Sequence, residues 1–324
     1  ESDQSRIFAG RGEDLVSKIH LAVVVSFDCL IPRNFHAMKK RLLQLSAAAL
    51  CATVSACASG PTSTSAGALA RISKEQSLKL GYREDARPFS YKGVDGKPAG
   101  YTVELCKQVA SSVQAQLKLT QLNVQWVPVT AASRVQAVQD GTVDIECGST
   151  SRTLGREQNV DFSNSIWVET SSFVTQTSSS LKRAQDLQGK RLGFVAGTTT
   201  EEVLKRLSAR GIAPIPVRMT SHTEGIAAVR AGTVDAYATD RLILVGEASS
   251  NRSTTPLRLS EDDLSVETYS LMMQRDPDMR LMVNRALSQI YSNGEIVRIF
   301  RGTFAPAQPS PLLEAMYLLN ALPE

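Results

Sequence analysis

Apolar positions along residues 72–304 follow two alternating rhythms. Short β-branched runs predict strands over Leu78–Tyr82, Val124–Val129, Val143–Cys147, Arg191–Val195, Ile215–Met219 and Val234–Ala238. Helical spacing predicts helices over Tyr101–Leu117, Ser133–Gln139, Thr200–Arg210, Thr223–Arg230, Pro277–Asn293 and Gly294–Arg301. In the first of these, Leu105, Val109, Val113 and Leu117 recur every four residues and make one apolar stripe facing a sheet. Strands alternating with helices in this way predict an α/β fold with largely parallel sheets.

The pattern also repeats. Ala137-Val-Gln-Asp-Gly-Thr-Val-Asp144 returns as Ala228-Val-Arg-Ala-Gly-Thr-Val-Asp235, identical at six of eight positions. Each copy reads as a helix end, a Gly that stops the helix, and a short strand. Leu80-Gly-Tyr82 and Leu192-Gly-Phe194 give a weaker echo. A duplication with no long linker predicts two similar lobes facing one cleft.

In open α/β sheets ligands bind beyond the carboxyl ends of the strands, so the residues found there are the candidates. They are Arg83, Arg134, Ser149 and Ser151 in the first half, and Thr198, Thr199, His222 and Asp240 in the second. Glu201 and Glu202 follow Thr198 as in a capping box. Ser149 and Asp240 each lie five residues after the Asp of the repeat, which places them opposite one another across the cleft. Guanidinium forks and helix N-termini suit carboxylates, whereas Asp240, the lone anion of the set, suits an ammonium. A ligand with one amine and two carboxylates matches all of them. Singly each residue is ordinary, since an Arg after a strand is commonly a solvated group, and His, Asp, Ser and Thr cap helices and turns. The convergence carries the expectation.

Charge and composition narrow the classes. With 36 Lys+Arg against 32 Asp+Glu, the chain lacks the concentrated basic footprint of a nucleic-acid binder. A hydrophobic share of 42% supports a core, 324 residues suggest about two domains, and the single short apolar run excludes a polytopic membrane protein. That run is Leu42–Ala56, preceded by Met38-Lys-Lys-Arg41, and it reads as an export signal over residues 38–56. Val54-Ser-Ala-Cys57 resembles a lipobox in which Cys57 is lipidated; cleavage after Ala58 is the alternative. Residues 1–37 then read as an extension upstream of the natural start, and residues 57–71 as the anchor and a flexible tether. Cys106 and Cys147 are expected either as one disulfide or as two buried thiols. No Cys/His spacing suggests a metal, and no cofactor is implied.

Specific motifs add to this. Gly81-Tyr-Arg-Glu84 with Pro88-Phe-Ser-Tyr91 and Gly100-Tyr101, then Glu146-Cys-Gly-Ser-Thr150, Arg156 and Asp161-Phe-Ser163, resemble bacterial solute-binding proteins of family 3. Within that family they are most similar to the glutamate/aspartate-binding branch of ABC importers, over roughly residues 72–304. The resemblance implies a two-lobed type II periplasmic-binding-protein fold, each lobe a mixed, mostly parallel sheet flanked by helices, with the ligand between the lobes. It implies a monomer outside the cytoplasmic membrane that hands an acidic amino acid to a permease, with no catalytic residue. Lobe 1 would comprise residues 72–166 and 276–304, and lobe 2 residues 167–275. The chain would cross near residues 167–175 and return near 265–271, and residues 305–324 would form a tail whose apolar run packs back on a lobe.

By the same resemblance Arg156 clamps the α-carboxylate with Ser151 and Thr198. Asp240 and Ser149 hold the α-ammonium, and Arg83, Arg134 and His222 the side-chain carboxylate. Three positions depart from the branch: Ala131 and Val195 replace hydroxyl contacts, and Leu271 replaces the Cys that would pair with Cys147. The alternatives are a periplasmic cyclohexadienyl-type dehydratase on the same scaffold, with Glu146 or Glu169 as its acid or base, and a sensory ligand-binding module.

Overall fold

The computed structural model describes residues 67–250 and 255–323. The export signal, Cys57 and most of the tether lie outside them. Residues 68–71, assigned to the tether by sequence, instead begin α1 (Ala68–Glu75), whose Ile72 is buried in the core. Asp276 fixes the start of this helix by accepting the Ala68 N–H at 3.0 Å.

The first half of the chain builds β1 (Ser77–Tyr82), then a small antiparallel sheet of β2 (Asp85–Ala86), β3 (Ser90–Lys92) and β4 (Pro98–Ala99). Next come α2 (Tyr101–Gln116), β5 (Asn123–Pro128), α3 (Arg134–Gln139), β6 (Ile145–Glu146) and α4 (Leu154–Glu157). β1 runs parallel to β5 on one side and to β6 on the other. The stripe on α2 is buried as its spacing requires at Leu105, Val109 and Val113.

A long strand, β7 (Asp161–Gln176), carries the chain into the second half. There a 3₁₀ turn at Ala184–Leu187 precedes β8 (Arg191–Val195), α5 (Thr200–Ala209), β9 (Ile215–Met219), α6 (His222–Ala231), β10 (Ala236–Asp240) and α7 (Arg241–Ser250). After β11 (Leu257–Leu259), a second long strand, β12 (Ser265–Met273), returns to the first half. The chain closes with α8 (Pro277–Ser292), α9 (Glu295–Phe304) and α10 (Pro311–Asn320).

The main sheet runs β5-β1-β6-β12-β7-β10-β8-β9, with β11 on β7. β12 and β7 pair antiparallel from Ser265/Ser171 to Met273/Asp161 and form a spine common to both lobes, while β8, β9 and β10 are parallel. The sheet is therefore mixed. The first lobe packs Leu80, Leu105, Tyr269, Leu287 and Phe300 into its larger core and Val129, Val138, Val143 and Met272 into a smaller one. The second divides its core between the two faces of its sheet, with Leu192, Val203 and Leu207 on one and Val195, Ile226 and Tyr237 on the other. The tail helix α10 buries Leu313, Met316 and Tyr317 on the first lobe, where the Tyr317 and Tyr101 hydroxyls meet at 2.8 Å.

The duplicated octapeptide has the same structure twice. Gly141 and Gly232 both adopt the left-handed conformation (φ 73° and 70°), which glycine enters without steric cost, and both end a helix. In the first copy Asp144 accepts the backbone N–H of Lys79 through Oδ2 at 2.8 Å; in the second Asp235 accepts that of Arg191 through Oδ2 at 2.8 Å. Each Asp thus fastens its strand to the lobe's first parallel strand.

Cys106 on α2 and Cys147 after β6 are bonded. Leu271, at the position where the branch has a Cys, is fully buried in the core. The bond closes a loop over a separation of 41 residues. Replacing Cys106 and Cys147 by Ser is expected to destabilise the protein by roughly 2–4 kcal/mol. Parallel denaturant titrations of the oxidised parent and the double variant measure this loss.

Candidate functional site

The carboxyl ends of β1, β6, β8 and β10 converge on the cleft, and the side chains there are buried. Arg83, just after β1, is 1% exposed; one terminal guanidinium nitrogen (Nη2) donates to Asp85 at 2.7 Å, while Nε and Nη1 have no partner among the described residues. Arg134 opens α3 and donates to Thr150 Oγ1 at 2.7 Å and to the Ser149 carbonyl at 3.3 Å; its Nε has no partner among the described residues. Thr150 in turn donates to Glu146 at 2.7 Å, leaving Glu146 Oε1 buried without a donor. Burial, and then the Arg156 charge, lower the Arg134 pKa to about 9, still above neutral, so Arg134 remains charged.

Arg156 lies on α4 and reaches two carbonyls, Ser151 at 2.6 Å and Gly197 at 3.0 Å. The Gly197 carbonyl belongs to the second lobe and also receives Arg134 at 3.4 Å. Ser149 is buried beside Arg134. The Ser151 hydroxyl donates to Glu267 at 2.5 Å, and the Thr198 hydroxyl donates to the Val195 carbonyl at 2.7 Å. Both hydroxyl protons are thus engaged within the protein, and the groups beside Thr198 left to meet an anion are the backbone N–H groups near the start of α5.

His222 is the first residue of α6, and its backbone N–H donates to Asp85 at 2.9 Å. Its ring is fully buried with Nδ1 2.6 Å from the Tyr237 hydroxyl. Burial holds the imidazole well below its ordinary pKa, against the pull of Asp85, so it enters the site neutral. Against a burial that would raise it, the Arg83 charge and the His222 N–H hold the Asp85 carboxyl below its usual range. Asp240 ends β10 rather than following it, because the strand lies two residues later than the sequence pattern placed it. It accepts the Tyr269 hydroxyl, and burial together with the Glu267 charge raises its pKa to about 7.

Asp240 is therefore not a lone anion. Asp85, Glu146 and Glu267 also stand within electrostatic reach of the three arginines, so anions balance the cations of this cleft. Glu267 and Tyr269 lie on β12, which the strand-end rule does not examine. Asp85 sits two residues past an expected position, close enough that the local sequence could have flagged it. Ala131 and Val195, where the resembling branch has hydroxyls, are packed in an apolar cluster with Met219 and Tyr237. Among the described residues no group of three or more His, Cys, Asp or Glu could hold a metal ion.

The lobes touch across the cleft. Besides Asp85–His222 and the two arginines on Gly197, the Arg87 N–H donates to Glu247 on α7 at 3.2 Å. Beside it Gly246 lets α7 approach the Arg87 backbone, where a Cβ would lie 2.6 Å from the carbonyl oxygen.

Sequence and fold agree on kinship. An L-glutamate/L-aspartate-binding protein of Pseudomonas aeruginosa is 32% identical over 248 residues, spanning 76% of this chain and 82% of that protein. A glutamate/aspartate import solute-binding protein of Salmonella typhimurium is 28% identical over 256 residues, spanning 78% of this chain and 84% of that one. Among solved structures, a histidine-bound ABC uptake transporter substrate-binding protein from Streptococcus pneumoniae superposes with a TM-score of 0.67 at 21% identity, covering 74% of this chain and 97% of its own. That likeness shows the two-lobed type II fold. Residues 78–305 match the sequence profile of bacterial extracellular solute-binding proteins, family 3, and the chain belongs to that family.

Proposed function

We propose that this protein is the substrate-binding component of an amino-acid ABC importer and captures glutamate or aspartate by closure of its lobes. The observation that carries the reading is the set of buried, unpartnered guanidinium nitrogens, Arg83 Nε and Nη1 and Arg134 Nε, in a cleft that also holds Asp240. Buried donors require acceptors, and a side-chain carboxylate supplies them bidentately. Arg156 and the amides at the start of α5 take the α-carboxylate, while Asp240 and Ser149 take the α-ammonium. His222, held neutral, supplies a ring group to the distal end of the ligand rather than a charge.

The lobes are residues 72–166 with 276–304, and the body of residues 167–275, whose ends at Trp167 and Tyr269–Met273 pack with the first lobe, and they hinge on β7 and β12. Ligand held by both lobes favours the closed form, which a membrane permease recognises. The export signal read at residues 38–56 and the lipobox at Cys57 support an anchored location outside the cytoplasmic membrane, and the protein acts there as a monomer. Labelling with a radioactive fatty acid, lost in Cys57→Ser, tests the anchor. Binding is favoured over catalysis: of the two carboxyls an enzyme would use, Glu169, whose burial raises its pKa to about 8, spends both oxygens on the Trp167 indole N–H and the Thr170 N–H, and Glu146 is tied through Thr150 to Arg134.

A thermal-shift screen with the twenty amino acids tests the reading. Glutamate and aspartate raise Tm, and glutamine and arginine at equal concentration do not. Stabilisation only by neutral or basic amino acids, or product formation from prephenate, overturns it. A second test concerns closure. Gly246→Val drives a side chain into the Arg87 backbone where the lobes meet, so affinity falls by about 1–3 kcal/mol, roughly 5–150-fold, while the ligand-free Tm reports any cost to the fold itself. Calorimetry and melting of the same preparation separate the two effects.

A further inference from the structure

One carboxylate in this cleft belongs to neither lobe alone. Glu267 lies on β12, in the stretch that pairs with β7 along the common spine, opposite Glu169. Its Oε2 accepts the Ser151 hydroxyl at 2.5 Å from the loop after β6 in the first lobe. The same oxygen accepts the Thr199 hydroxyl at 2.7 Å from the start of α5 in the second. Its Oε1 accepts Ser265 at 2.7 Å, and Ser265 meets Ser171 of β7 at 2.6 Å. A single side chain thus gathers hydroxyls from both lobes and from both strands of the spine.

The same charge acts on the ligand-binding groups. Glu267 lies within electrostatic range of Asp240, Arg156 and Tyr269. The titratable and charged groups facing Asp240 are Glu267 and Tyr269 from β12, Glu169 from β7, Tyr237 from its own strand, Arg134 from α3 and Arg156 from α4. Of the two neighbouring carboxyls, Glu267 is the one that also bonds to both lobes.

We propose that Glu267 is a positioning residue for ligand capture: its carboxylate fastens Ser151 of the first lobe to Thr199 of the second as the cleft shuts, and its charge governs the readiness of Asp240 to meet an ammonium. The inference rests on the binding reading above and adds a closure contact to it. Two substitutions separate the two parts. Glu267→Gln keeps the length and removes the charge; Glu267→Asp keeps the charge and shortens the reach by one methylene.

Carboxyl carbon NMR on the ligand-free full chain follows Asp240, with D240N identifying its resonance. In E267Q the Asp240 midpoint falls by about 0.5–1 pH unit through loss of a neighbouring like charge, and in E267D it stays at the parental value. Stopped-flow release of glutamate then becomes about tenfold faster in E267D, equivalent to one lost hydroxyl clamp. A purely structural role would speed release in both variants and leave the Asp240 midpoint unmoved. An unchanged Asp240 midpoint in E267Q, or parental release in E267D, overturns the proposal. Failure of the parent to bind any acidic amino acid instead overturns the binding reading, while the ligand-free titration still decides whether Glu267 acts on Asp240.

Discussion

Replacing Arg156 by alanine is expected to weaken glutamate binding by about 3–5 kcal/mol, a loss of 10²–10³-fold or more. The guanidinium sits among Glu146, Glu267 and Asp240, whose charges only partly offset the burial that lowers its pKa. Without it, a ligand α-carboxylate would enter a cleft in which acidic groups dominate that end and no second cation bridges Ser151 to Gly197. The control is Arg152→Ala. Arg152 is half-exposed and pairs with Glu157 at the surface, so its removal costs less than about 1 kcal/mol. Titration calorimetry on both variants measures the difference, and near-parental affinity in R156A rules out the clamp.

Asp240→Asn is expected to cost about 2–4 kcal/mol of affinity, roughly 30- to 1000-fold, and to abolish a pH dependence. In the parent, burial first and the Glu267 charge second raise this carboxyl to about 7, against the Tyr269 hydroxyl, Arg134 and Arg156. Below pH 7 it therefore holds its proton. An ammonium favours the ionised form, so binding releases that proton. Affinity consequently rises with pH by up to about tenfold per unit and levels off above 7. For the ligand-free protein the sign is opposite: an unfolded Asp titrates near 3.9, so stability falls as pH rises from about 4 to 7 because the folded state binds more protons there. The Asn variant lacks the Asp240 part of both slopes, leaving in stability the part that Glu169, raised to about 8, contributes. Calorimetry in buffers of different ionisation enthalpy reads the released proton directly, and its absence in the parent at pH 6 would refute the assignment.

Much of the α/β pattern was legible because each lobe buries one face of each helix, as the stripe on α2 illustrates. The duplicated octapeptide carried more information still, since Gly141, Gly232, Asp144 and Asp235 all perform backbone tasks that tolerate few alternatives. The spine was harder to read. Much of β7 is buried on both faces, yet its residues include Ser163, Glu169, Ser171, Ser172 and Thr175, so neither alternation nor an apolar run marks it. Arg83, Arg134 and Asp240 followed from the strand-end rule, while Arg156 came only from family resemblance because it projects from α4. Glu267 escaped both approaches: its partners Ser151 and Thr199 are 116 and 68 residues away in sequence. The disulfide stayed open for a similar reason, since a spacing of 41 residues does not fix how far apart two Cys lie in space.

The spine also bears on how the molecule comes apart. The first lobe is assembled from two separated stretches of chain, and the second, though one continuous stretch, shares β7 and β12 with the first in a single sheet. Severing either strand would leave two fragments with raw edges rather than two smaller domains. Melting should accordingly proceed as one cooperative event, and excising a lobe would forfeit the partner that completes its fold.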